Sequence, residues 1–136
     1  MPQTFRRRPG KLDIEFHRGD HVRVEVRVRR NIGTATEPTY QDVDFTDIDL
    51  RAQVRRRARS DEVITTFDVE KINAAEGRIA LVLPAERSAL IHKASAYDVE
   101  GTPATGPDEG QVRTWVEGSV DPSLDVTRGE PSDENE

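Results

Sequence analysis

The run from His21 to Arg29 alternates strictly, with Val22, Val24, Val26 and Val28 set between Arg23, Glu25, Arg27 and Arg29. Successive side chains of a strand point to opposite faces, so one face of this run is apolar and the other charged. Sheets that are wet on one side carry this pattern and are antiparallel, whereas parallel sheets, buried on both faces, read as continuous apolar runs. The same period of two recurs along the chain. Leu12, Ile14 and Phe16 share one face of a first strand, from about Lys11 to Phe16, and the valine run is the second. Val43 and Phe45 lead into a third, where Ile48, Leu50, Ala52 and Val54 alternate with Asp49, Arg51, Gln53 and Arg55. Val63, Thr65, Phe67 and Val69 mark a fourth strand, and Ile79, Leu81 and Leu83 a fifth. Ser95, Tyr97 and Val99 face inward from a sixth, over about Ala94 to Gly101. In a seventh, over Gln111 to Val120, the alternation turns Val112, Thr114, Val116, Gly118 and Val120 inward and Arg113, Trp115 and Glu117 outward, and Pro122 ends the strand.

Turn signals separate these runs at His17–Asp20, Arg57–Glu62, Asn73–Gly77 and Thr102–Gly110. Asn31–Gln41 is a longer connection rich in Gly, Thr and Pro, of a length that in compact domains is functional or mobile. Pro84, followed by Glu86, Ala89 and Leu90, predicts one or two helical turns. The expected fold is all-β: an immunoglobulin-like antiparallel β-sandwich of about seven strands with one short helix, a small β-barrel being the alternative. Val24, Val26, Leu50, Ala52, Leu81, Tyr97 and Val116 are expected in the core, and Arg23, Arg27, Arg51 and Glu117 outside it.

A chain of 136 residues is expected to form one domain, and its 34% hydrophobic residues, gathered into these runs, suffice for one modest core. Residues 1–10 read as a basic N-terminal arm carrying Arg6, Arg7 and Arg8, with Pro2 and Pro9 opposing regular structure. The sandwich domain then covers 11–128, with Leu124 and Val126 as a last extension, and 129–136 is an acidic C-terminal tail. A net charge of -6 argues against general nucleic-acid binding, which needs a basic face to displace counterions. No apolar run is long enough for a signal peptide or a membrane span. With no cysteine there are no disulfides, thiolate metal sites or thiol catalysis.

Arg18-Gly19-Asp20 matches an integrin-binding tripeptide, but Gly-Asp is ordinary turn chemistry. Asp42, Asp44, Asp47 and Asp49 lack the ordered spacing and the glycine of a calcium loop and alternate with apolar positions. His17, His21 and His92 supply no four-ligand zinc set. Asp98, Glu100 and Glu117 could pair as carboxylates for glycoside hydrolysis, yet no aromatic cleft surrounds them. No Ser/His/Asp set, phosphate-binding loop or dinucleotide motif is present. The expectation is therefore no enzyme, no cofactor and no metal. What remains are surfaces. An outward Trp115 beside Arg113 reads as an anchor for a protein partner. The arginines Arg51, Arg55, Arg56, Arg57 and Arg59 read as a solvated face paired with Asp98 and Glu100, or as an inter-subunit patch in which Arg55 and Arg57 would take part.

The order of segments resembles small β-sandwich virion proteins of tailed bacteriophages, of the long-tail-fibre, tail-collar and baseplate-upper type. The likeness is carried by Phe16-His17-Arg18-Gly19-Asp20, Val43-Asp44-Phe45-Thr46, Leu50-Arg51-Ala52-Gln53-Val54-Arg55 and Gly77-Arg78-Ile79 through Leu83-Pro84-Ala85-Glu86. Tyr97-Asp98-Val99-Glu100, Glu117-Gly118-Ser119-Val120 and Asp125-Val126-Thr127-Arg128 continue it, so that it covers about residues 11–128. The long Asn31–Gln41 connection, and Ile91-His92-Lys93 without a glycine before the sixth strand, depart from the pattern. The resemblance implies a tail-associated structural protein, made in the host cytoplasm and residing in the virion. Its expected partners are other virion proteins and copies of itself in a ring or attachment site, with no nucleic acid and no membrane. A head-decoration protein and a carbohydrate-binding module are the alternatives.

Overall fold

A computed structural model of the chain describes residues 9–123; Arg6, Arg7 and Arg8, the extension at Leu124 and Val126, and the acidic tail lie outside the described residues. Among the described residues the chain is mostly β, 55% strand and 6% helix, in one curled, sandwich-like sheet with a short helix. Ten strands follow in order: β1 (Gly10–Lys11), β2 (Ile14–His17), β3 (Val22–Arg27), β4 (Arg29–Asn31), β5 (Tyr40–Asp42), β6 (Ile48–Arg55), β7 (Val63–Asn73), β8 (Arg78–Leu83), β9 (Ser95–Pro103) and β10 (Arg113–Ser123). Helix α1 (Ala85–Ser88) sits after β8, behind Pro84, where the proline predicted it.

The sheet runs β1-β10-β9-β6-β7-β8-β3, with β2 also on β10, and β4 and β5 form a separate two-stranded ladder. The curl is made by β7. Its Val63–Phe67 half pairs with β6, while Asp68–Asn73 pairs with β8, so one strand belongs to both layers and turns the sheet back on itself. Phe45, Val54, Ile79, Leu81, Leu83, Ile91, Val99 and Val120 are fully buried between the layers. In β8 every residue from Ile79 to Leu83 is buried, which fits its unbroken apolar sequence.

Of the expected core, Ala52, Leu81, Tyr97 and Val116 are buried, while Val24, Val26 and Leu50 are half-buried against it. Arg23, Arg27 and Arg51 are exposed, and Glu117 is half-buried. The incomplete burial of Val24 and Val26 has a topological cause: among the described residues β3 ends the sheet and has a strand, β8, on one side only. Most pairings are antiparallel, as the alternation implies, but β1 and β2 lie parallel to β10. Pro122 does not end the last strand. Pairing of β10 with β9 stops at Val120, so Pro122 lies where the strand has, among the described residues, a neighbour, β2, on one side only and its missing N–H is tolerated.

Between β1 and β2 the chain crosses Gly118. Leu12 N donates to Glu117 O at 3.0 Å and Ser119 N donates to Asp13 Oδ1 at 3.0 Å, one on each side of the glycine. The buried Tyr97, cross-strand partner of Gly118, donates its hydroxyl to Leu12 O at 2.6 Å and packs edge-on against Phe67. Burial pushes the Tyr97 phenol well above its ordinary value, so it stays a donor at all physiological pH. A Cβ at Gly118 would collide with the Leu12 carbonyl. Gly118→Ala should therefore cost about 1–3 kcal/mol by overpacking, read as a fall in Tm. An unchanged Tm would show that the β1–β2 crossing carries little of the fold.

Candidate functional site

The two ends of the curled sheet do not meet. β1 and β2 occupy the outer side of β10, β3 occupies the outer side of β8, and no strand joins them among the described residues. β2 and β3 are joined by the tight turn at His17–Asp20, where Asp20 N donates to His17 O, so the gap is tethered at that end. It widens toward Gly10 and Arg27 into an open groove of about 1180 Å³ between Pro9–Leu12, Glu25–Ala35 and Arg113–Val116. Five cations line this mouth, Lys11, Arg27, Arg29, Arg30 and Arg113, against one carboxylate, Glu25.

Trp115 does not point away from the core. The ladder between β10 and β9 slips between Thr114 and Val116, so Trp115 is the extra residue of a bulge. The alternation, continued without the bulge, placed it on the outer face; the bulge brings it half-buried onto the edge of the core. Its ring meets Phe45 edge-to-face at 5.6 Å and lies over Gly101, where a Cβ would come 2.8 Å from Trp115 Nε1. The Arg113 guanidinium lies 4.0 Å from the ring centroid, on the mouth side. Val112, expected inward, is 57% exposed, since it lies before β10 begins and has no partner in the ladder among the described residues.

The long connection Asn31–Gln41 is a projecting hairpin. Strands β4 and β5 pair Arg29 with Asp42 and Asn31 with Tyr40. The tip is tied by its own side chains: Asn31 Oδ1 accepts from Gly33 N and Thr39 N, and Thr34 Oγ1 accepts from Glu37 N. At the base, Asp42 accepts from Arg27 Nη2 at 2.9 Å and Nε at 3.2 Å, and from Arg29 Nε at 3.3 Å. The Arg27 hydrogen bonds hold the Asp42 carboxyl below its ordinary value. Every residue from Arg29 to Gln41 is exposed, including Ile32 and Tyr40.

The other sequence candidates fall elsewhere. The Arg18-Gly19-Asp20 turn is fastened to α1: Ser88 Oγ accepts from Gly19 N and donates to Asp20 O, and Arg18 Nε donates to Ala89 O. Arg55 is half-buried and donates to Ser60 O at 2.7 Å and Gln53 Oε1 at 2.6 Å, closing the turn after β6 rather than facing a neighbour; Arg57 is exposed in that turn. Both lie at the opposite end of the strands from Arg113, since Arg55 pairs with Ala96 and Arg113 with Gly101. Arg51 pairs with Glu100 at 3.4 Å, as the solvated-face reading expected. Asp44 accepts from Thr46, and no group of three or more His, Cys, Asp or Glu is arranged to hold a metal among the described residues. Among those residues no helix is long and apolar enough to cross a membrane.

Asp98 is crowded by acids, with Glu117 paired across one flank and Glu100 two residues on, while Gln53 pairs on the other. Burial, then repulsion from Glu100, raises its carboxyl above the ordinary value. Sequence reasoning singled out Trp115, Arg113 and the Asn31–Gln41 connection that carries Ile32 and Tyr40, but missed Lys11, Arg29 and Arg30. The available signal was the basic run Arg27–Arg30 immediately before a glycine turn. No family model matches the chain, and none of the curated proteins matches it in sequence.

Two outcomes follow from this geometry. Trp115→Ala, which empties space beside Phe45, should destabilise the fold by about 2 kcal/mol or more, seen as a lower denaturation midpoint; a neutral result would mean the ring rests on the surface without packing. Asp98 has a raised carboxyl in the fold, so the folded chain binds the proton more tightly than the unfolded one. Its favourable contribution is complete below the unfolded value and is lost as pH rises through the folded value. Asp98→Asn should raise Tm at neutral pH, with the gain shrinking as pH falls toward the ordinary carboxylate value of 3.8. A gain of constant size from neutral to acid pH would show that burial of the Asp98 charge and its repulsion by Glu100 are not the cause.

Proposed function

We propose that this chain is a structural subunit of a tailed-phage virion, associated with the tail at a collar, baseplate or fibre attachment, and that it works by protein–protein assembly. The observation that carries the assembly reading is the β4–β5 hairpin, exposed from Arg29 to Gln41 and standing at the lip of the basic mouth. An isolated two-stranded hairpin is marginal in water. One held out from the core by an arginine–aspartate clamp, with Ile32 and Tyr40 each 57% exposed, is suited to gaining its burial from a neighbour. The assignment to a tailed phage rests on the ordered motifs between residues 11 and 128. The carbohydrate-module alternative loses ground, because the one tryptophan is occupied by Arg113, Phe45 and Gly101 and offers no free sugar platform.

Mass spectrometry of purified particles should find the chain at a fixed copy ratio to the other tail proteins. Its absence from particles would contradict the proposal. Ile32→Ser with Tyr40→Ser should reduce incorporation while lowering Tm by no more than about 4 °C, since each exposed side chain, Tyr40 with only Arg29 over its ring at 6.0 Å, contributes less than about 0.5 kcal/mol. Full incorporation of that variant would take the hairpin out of the interface.

A further inference from the structure

We propose that the mouth of the sheet is the docking site for an extended acidic segment of a second copy of this chain, residues 124–136, so that copies join head to tail. This deepens the assembly reading above and rests on it. Among the described residues, strands β1 and β3 end the sheet and each leaves one edge without a partner strand, facing the other across the groove. An extended chain laid between them makes main-chain hydrogen bonds to these edges and continues the sheet, as in strand addition. Leu12, Val26 and Trp115, all half-buried, supply an apolar lining.

Charge selects the occupant. The mouth holds Lys11, Arg27, Arg29, Arg30 and Arg113 against Glu25, in a chain whose net charge is -6. Arg27 and Arg29 share Asp42, whereas Lys11 and Arg30 have no carboxylate at ion-pair distance among the described residues. Segment 124–136 carries Asp125, Glu130, Asp133, Glu134 and Glu136 against Arg128, and Leu124 and Val126 fall on one face of an extended strand. The donor is a second copy because of reach. Ser123 lies eight residues along β10 from Trp115, about 26 Å at the rise of a strand, and the gap there is flanked by β2 and β3. Docked on its own chain, the segment would spend about eight of its residues returning to the mouth at that rise, leaving Ser132–Glu136, which holds three of the acids but no apolar side chain to meet Leu12, Val26 and Trp115. From another copy the whole segment is usable. Donor and acceptor are then different patches, so the contact is heterologous and either closes into a ring or propagates.

Sedimentation of the full chain from micromolar to millimolar concentration, at low and high salt, tests this, with emission of Trp115 as an internal probe because it is the only tryptophan and lines the mouth. The expected result is concentration-dependent association with a matching shift in Trp115 emission, weakened about tenfold or more by high salt. Lys11→Gln with Arg30→Glu should abolish association without lowering Tm, the neutral amide avoiding repulsion with Glu117 beside it in the ladder. So should neutralising the donor by Asp125→Asn, Glu130→Gln, Asp133→Asn, Glu134→Gln and Glu136→Gln. Mixed together, these two variants should pair one to one, the first giving its segment and the second its mouth. Failure of the mixture to pair overturns the proposal. A monomer at all concentrations, whose emission differs from that of the donor-neutralised variant, overturns it in favour of docking on its own chain. Duplex DNA displacing the segment, or shifting the emission of the donor-neutralised variant at lower concentration than the synthetic segment 124–136 does, overturns it in favour of a nucleic-acid site. If the chain associates in this way yet is absent from particles, the inference stands and the virion assignment falls. If it is present in particles but never associates through the mouth, the reverse holds.

Discussion

The parallel pairing of β1 and β2 with β10 is the constraint on which the rest of this molecule depends. It commits the first strands to one end of the sheet, while the four-residue turn after His17 delivers β3 to the other end, beside β8. The two ends are thus tethered at the turn and apart at Gly10 and Arg27, and a wedge between them is unavoidable. Its stability rests on small features of the crossing: Gly118 admits the Leu12 carbonyl, Tyr97 donates to that carbonyl from the core, and Asp13 accepts from Ser119. The gap in the sheet is thus built by specific contacts on its closed side.

Electrostatics then give the gap a character opposite to that of the whole chain. The acids that balance the formal charge lie largely elsewhere, as in the Asp98, Glu100 and Glu117 group, whose Glu117 is the cross-strand neighbour of Lys11 and where burial, then repulsion from Glu100, raises the Asp98 carboxyl. At the mouth Asp42 is spent on clamping the base of the hairpin to Arg27 and Arg29. The bulge at Trp115 couples core to mouth, since the ring touches Phe45 on one side and Arg113 on the other. A basic groove flanked by two open strand edges is a surface that recognises extended, acidic chain by main-chain bonding and charge together.

Much of the fold was legible because alternation is a local signal. Ile14 and Phe16, Ala52 and Val54, Leu81, Tyr97 and Val99 all face the core as their runs imply, and α1 follows Pro84. The errors come from features that need a partner strand to be seen. Trp115 obeyed the alternation only if β10 had no bulge, and a bulge is defined by the register of β9 against it. Pro122 looked like a terminator until β2 was placed on one side and nothing on the other. Val24 and Val26 read as core, and their half burial reflects a missing neighbour that no pattern within β3 encodes. The basic mouth was hidden for the same reason: Lys11, Arg30 and Arg113 are far apart in sequence and meet only because three strand ends converge. Arg55 was visible as a charge, but its donation to Ser60 O depends on the fold of the following turn.

Amide hydrogen exchange on the chain, alone and in its assembled form, addresses the central claim most directly. The observable is the set of backbone amides in Val22–Arg27 that do not bond to β8, together with those at Gly10 and Lys11. The account predicts fast exchange at these edges in the isolated chain and strong protection in the assembly, with the β6–β7 turn at Arg57 unchanged. Edges that exchange equally fast in both states, with new protection confined to the Arg51–Arg57 surface, would contradict it.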